Sequence, residues 1–193
     1  MKVSKEQMAE NRDRILDAAA TLFRERGFDG IGVADLMKGA GLTHGGFYGH
    51  FDSKEDLMAQ AAARAAEQML ATWQRLAERH PGQERAAVAD AYLSTRHRDH
   101  AGRGCLFATL GADAARQGPA VRHAVTEGLR PQVDLLEQAT PGRNKAARRR
   151  KALADYAGMV GALVLARAVD DAALSQEILD AARAALSLPE AEA

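Results

Sequence analysis

Several things are scarce in this 193-residue chain, and each scarcity excludes something. A single cysteine, Cys105, allows no internal disulfide, the usage expected in a reducing cytoplasm. Nine valines and three isoleucines stand against 42 alanines. Alanine is the best helix former, β-branched side chains favour strands, and no stretch alternates with period two, so an all-α fold is expected. No apolar run approaches the roughly 18–20 residues of a membrane span, and the charged opening MKVSKEQMAENRDR does not read as a secretory leader. Excess charge of either sign is missing too, with 26 basic and 26 acidic residues. Groove binding needs only local positive charge, so this balance leaves nucleic acid open.

What is present is a core-forming composition, 47% apolar, punctuated by glycine and proline. Ile15, Ala18, Ala19, Leu22 and Phe23 form one face of a first helix from about Lys5 to Arg26, closed by Gly27. A brief second helix carries Val33, Leu36, Met37 and Ala40, and Gly39-Ala40-Gly41 turns the chain into a third short segment, Leu42 to about His50. Three helices in about fifty residues, the last two joined by a glycine-bearing turn, are a helix-turn-helix arrangement. Asp52 or Ser53 is the expected cap of the next helix, which runs to His80. Further helices are expected over Glu84 to Arg98, Cys105 to Arg116, Pro119 to Ala139, Asn144 to Val169 and Ala172 to Leu186.

The informative stretch is Leu42 to Leu57, LTHGGFYGHFDSKEDL. Gly45, Gly46 and Gly49 fall inside an expected helix, where each costs about 1 kcal/mol relative to alanine. Missing β-carbons let another surface approach the backbone, and a duplex groove is one such surface. Thr43 and His44 begin the segment, Tyr48 offers a phenol, and Lys54 starts the next helix, where its charge and free amides suit a phosphate. The alternative is a glycine-rich loop that packs Phe47 and Phe51 into a small core.

This stretch resembles the signature of TetR-family transcriptional regulators. The resemblance rests on Ile15 to Phe23, Gly27-Phe28, Ala40-Gly41-Leu42, Thr43, Gly46-Phe47-Tyr48, His50-Phe51, Ser53-Lys54 and Leu57, in order and in spacing. It implies a DNA-binding head over 8–68 and a helical ligand-binding and dimerisation body over 69–193. It further implies that Thr43, His44, Gly45, Gly46, Phe47, Tyr48, His50 and Lys54 form the DNA-binding surface. Where the family commonly caps its second helix with Ser or Thr, this chain has Gly32, an acceptable cap that lacks the hydroxyl. Residues 1–60, Lys2 included, carry eight basic and ten acidic side chains, 8 − 10 = −2, so binding depends on two heads acting together.

In the body, Leu153, Tyr156, Ala157, Val160, Gly161, Val164, Leu165 and Ala168 make an apolar stripe, with small Gly158 and Ala162 beside it. The family resemblance makes this stripe, with the last helix, a homodimer interface; burial inside one protomer is the other reading. Trp73, Tyr92, Phe107 and Met159 are candidates for an effector pocket, or for plain core. Cys105 follows Gly102-Arg103-Gly104 near an apparent helix start, so it is either a buried residue or a thiol that senses oxidants or electrophiles, as in some relatives. The basic run Arg143 to Lys151 reads as a solvated face. His97, Asp99 and His100 lack a third ligand, so no metal and no cofactor is expected.

No catalytic triad, phosphate loop or zinc-protease motif occurs, and no enzyme is expected. The expectation is a cytoplasmic bacterial repressor, dimeric on double-stranded DNA, released by a small molecule or electrophile. The rival is an all-helical ligand-binding protein or enzyme that ignores DNA.

Overall fold

The computed structural model describes residues 4–187; Lys2 and the tail beyond Ser187, which the charge count and the body's range include, lie outside the described residues. Among the described residues there are α-helices and 3₁₀ segments but no strand. The helices are α1 (Lys5–Arg26), α2 (Val33–Gly39), α3 (Lys54–Arg79), α4 (Glu84–Tyr92), α5 (Thr95–Asp99), α6 (Phe107–Ala114), α7 (Pro119–Ala139), α8 (Lys145–Ala168) and α9 (Ala172–Ser187). Short 3₁₀ segments cover His44–Gly49 and Ala101–Arg103.

Capping explains most boundaries. Ser4 accepts from the Gln7 amide, Ser53 from the Asp56 amide at 3.0 Å, and Asn144 from the Ala147 amide at 2.9 Å. The single helix expected over Glu84 to Arg98 is two, because Ser94 leaves the helical region and caps α5 by accepting from the His97 amide. The helix expected from Cys105 starts only at Phe107.

The chain forms two compact units. The first takes the residues up to Gln68 together with Ala101–Leu129; the second takes Met69–His100 and the chain from Arg130 onward. The sequence reading placed 101–129 with the body. Their apolar side chains are the reason they pack otherwise: Leu106, Leu110, Ala114 and Val121 are buried in one cluster with Ile15, Phe23, Leu36, Phe47 and Leu57. Gly102 also lies so close to α1 that a β-carbon there would meet Glu25 Cγ at 2.8 Å.

The second unit has its own centre. Trp73, Tyr92 and Tyr156 meet edge to face with centroids 5.3–6.5 Å apart, and Tyr156 donates to Gln132 Oε1 at 2.6 Å. Asp155 is held by Arg85 at 2.8 Å and Lys151 at 3.2 Å. Within the basic run, Arg149 pairs with Asp134 and Glu137. His97 and His100 each set Nδ1 against a backbone carbonyl, of Tyr92 and Arg96.

One turn requires glycine outright. Gly41 has φ +70°, and a β-carbon there would stand 2.9 Å from Arg14 Nη2, which itself donates to the Ala40 carbonyl at 2.7 Å. Gly41→Ala is therefore expected to destabilise the protein by about 1–2 kcal/mol, measured by urea denaturation followed by circular dichroism.

Candidate nucleic-acid interface

The turn between α2 and the 3₁₀ segment is closed by backbone bonds. The Gly41 amide donates to Lys38 O and the Leu42 amide to Met37 O, both at 2.9 Å. The next segment is 3₁₀ rather than α: the Gly46 amide donates to Thr43 O at 3.1 Å and the His50 amide to Phe47 O at 2.9 Å. Three glycines in six residues weaken the α-helix enough for this tighter winding to prevail. Thr43 stands at the start in extended conformation with no side-chain cap bond.

Phe47 is the pivot. It is fully buried, stacked on Phe51 at 5.8 Å, so unlike the other residues expected on the DNA-binding surface its side chain is not open to a duplex. Burial of this one ring turns its neighbours outward. Thr43, His44, Gly45, Gly46, Tyr48 and Gly49 are exposed, Tyr48 by 74% with its ring set edge to face against Phe47 at 5.1 Å. The phenylalanines lie in the core, as the loop reading expects, and the glycine face lies outside.

Nothing inside the protein requires those glycines. None has positive φ; a β-carbon at Gly45 would meet nothing within 4 Å, and those at Gly46 and Gly49 would make ordinary contacts at 3.7 and 3.9 Å with Met37 and Met8. Gly32, the cap of α2, also faces open space, so the missing hydroxyl is not imposed by packing.

Lys54 opens α3, half-buried, and has no acidic partner among the described residues. Asp56 reaches back to the Asp52 amide at 3.3 Å and Ser53 caps the helix, so the start of α3 is rigidly set. His50 is half-buried; its pKa lies below the usual histidine value through burial first and the Arg12 charge second. Arg12 donates to the His50 carbonyl and lies over the Phe51 ring at 4.5 Å. Sequence reasoning missed Arg12 and Arg14. Their partners are backbone carbonyls 38 and 26 residues away, and no spacing rule reveals such a contact.

The body candidates divide. Trp73, Tyr92 and Met159 are buried in the second unit, while Phe107 packs against the core of the first. None of the four lines the cavities of about 510 and 310 Å³. Cys105 is completely buried. Beside it Arg24, also buried, donates to Ala20 O, Gly104 O and Gln68 Oε1. Burial pulls the Arg24 guanidinium down to about 10, opposed by Cys105 and then Glu25.

Residues 15–61 match the family model described as bacterial regulatory proteins, tetR family. The Escherichia coli HTH-type transcriptional repressor NemR is 32% identical over 136 residues, 67% of each chain. The chain belongs to the TetR family. As such it is a DNA-binding transcriptional regulator. The Rhodococcus jostii repressor KstR2 is 49% identical over 47 residues, which span 24% of this chain and only 23% of KstR2. Solved structures extend the likeness to the whole fold: reduced NemR of E. coli covers 92% of this chain and 95% of its own at TM-score 0.76 and 26% identity. A TetR regulator of Chloroflexus aurantiacus covers 94% of each at TM-score 0.78 and 25% identity.

Because Phe47 fixes the exposed face of the regulator, Phe47→Ala is expected to cost about 3–5 kcal/mol of stability. Loss of the head's cooperative melting, read by differential scanning calorimetry, checks this.

Proposed function

We propose that the protein is a homodimeric repressor that holds a palindromic operator through two copies of the 43–54 surface and is released from it by an effector. One observation carries the reading: exposed glycines that no internal contact demands, flanked by an outward phenol and an unpaired lysine. Their bare backbone suits the floor of a major groove, Thr43 and His44 suit base edges, and Tyr48, His50 and Lys54 suit phosphates. Repression is the role named for NemR and KstR2.

Dimerisation is supported by the outer face of α8. Leu153, Ala157, Gly161, Val164, Leu165 and Ala168 are exposed and all apolar, with Leu165 57% exposed, whereas Tyr156 of the expected stripe and Ala162 beside it turn inward. β-carbons at Gly158 and Gly161 would meet nothing within 4 Å, so another backbone can approach closely there. A two-fold pair of heads would then present recognition segments about 34–36 Å apart, one duplex turn.

The effector can act only by its differential affinity for the two conformations, typically about 1–3 kcal/mol. The aromatic centre of the second unit, buried and lining neither groove, is one place for it only if the packing there opens. Cys105 is the other: addition of its sulfur across the double bond of N-ethylmaleimide, the thiol proton passing to the adjacent carbon, would swell a fully buried site.

A gel shift on DNA upstream of the protein's own gene tests the reading. Gly45→Val should leave the melting temperature within a few degrees yet abolish the shift. Tyr48→Phe and Lys54→Ala should weaken binding about tenfold, Lys54→Ala also lowering the salt slope by about 1. Retained operator binding after stoichiometric maleimide modification would remove the thiol arm. A carrier or enzyme would be indifferent to all of these changes. Leu165→Arg should convert a dimer to a monomer by sedimentation and lose operator binding with it.

A further inference from the structure

A groove of about 510 Å³ runs between the end of α6 and the start of α7, lined entirely by residues of the first unit. Its volume falls in the range of small-molecule sites. Gly111, Ala114, Ala115 and Val125 supply an apolar wall, and Arg122 and His123 also line the groove. Both basic side chains are exposed, and neither has an acidic partner among the described residues, whereas nearby Arg116 is paired with Asp113. Thr126 does not compete for a ligand, since its hydroxyl donates to the Arg122 carbonyl at 2.8 Å. A β-carbon at Gly111 would meet nothing within 4 Å.

We propose that this groove binds a small amphipathic carboxylate, with the head group on Arg122 and His123 and the apolar part along the alanine and valine wall. An arginine fork matches a carboxylate in two parallel hydrogen bonds, and an apolar trough beside it selects a hydrocarbon tail over a bare ion. The opposite side of the same elements packs into the core of the first unit: Leu110 and Val121 lie in it. Asp113 abuts Gly27 at the end of α1, and Gly118 abuts Glu55, the residue after Lys54. Occupancy of the groove therefore bears on the start of α3. This regulatory half rests on the operator-binding reading above; the binding half does not.

Decanoate is the probe, titrated into the full chain by calorimetry with decanol as the uncharged comparison. Wild-type protein should bind decanoate more tightly than decanol. Arg122→Gln should weaken decanoate about tenfold, one charge-assisted hydrogen-bonding partner, and leave decanol unchanged. Gly111→Leu, which fills the trough where space is open, should abolish both without lowering the melting temperature. No heat with decanoate at millimolar concentration, or isotherms that neither variant alters, would overturn the site. A change of oligomeric state with Gly111→Leu would overturn it too, by making the groove a contact between copies. Operator affinity measured on the same samples should fall with decanoate in wild type and not in Gly111→Leu. Unchanged affinity with decanoate bound would overturn the coupling, and absence of any operator binding would sink the regulator reading while calorimetry still decides the groove.

Discussion

Burial of the Phe47 ring is the constraint on which the proposed recognition surface depends. A six-residue segment with three glycines has too little intrinsic helicity to hold a shape, and its 3₁₀ hydrogen bonds are weak. Phe47 supplies what the backbone lacks: its ring stacks on Phe51 within the core cluster that also holds Leu36, Met37 and Leu57, and this apolar burial fixes the rotation of the segment. Once that rotation is set, the glycines and Tyr48 have nowhere to point but outward. The surface is thus positioned by the one residue in it that cannot touch a ligand.

The same core reaches beyond the head that the family signature marks. Leu106, Leu110, Ala114 and Val121 arrive from a part of the chain some fifty residues downstream and are buried with α1, α2 and α3. At Gly102, Gly27 and Gly118 the side chains of Glu25, Asp113 and Glu55 approach the backbone closely. A densely packed junction of this kind transmits a shift rather than absorbing it, because interiors do not deform continuously. The DNA-binding unit therefore contains a piece of chain whose outer side is open to solvent.

Electrostatics plays a smaller part than in a strongly basic DNA-binding protein. Of the arginines in the first sixty residues, Arg12, Arg14 and Arg24 spend their donors on carbonyls within the fold. What remains for phosphates is sparse, so charge alone cannot supply tight binding. The exposed apolar face of α8 is consistent with that economy of charge, since leucines and valines in water are unfavourable unless covered.

Much of this was legible in the sequence. Alanine content and glycine and proline punctuation determined the all-α class and most helix limits, because helix propensity and capping are local. The resemblance carried by Ile15 to Leu57 likewise marked the head. Local rules could not say that Phe47 faces inward while its neighbours face outward, that 101–129 joins the head, or that Tyr156 turns away from the α8 stripe. They also could not foresee that Arg12 and Arg14 brace the recognition turn. Each of these depends on which surfaces meet across dozens of residues, and only the closed tertiary packing, where every buried side chain competes for one space, decides that.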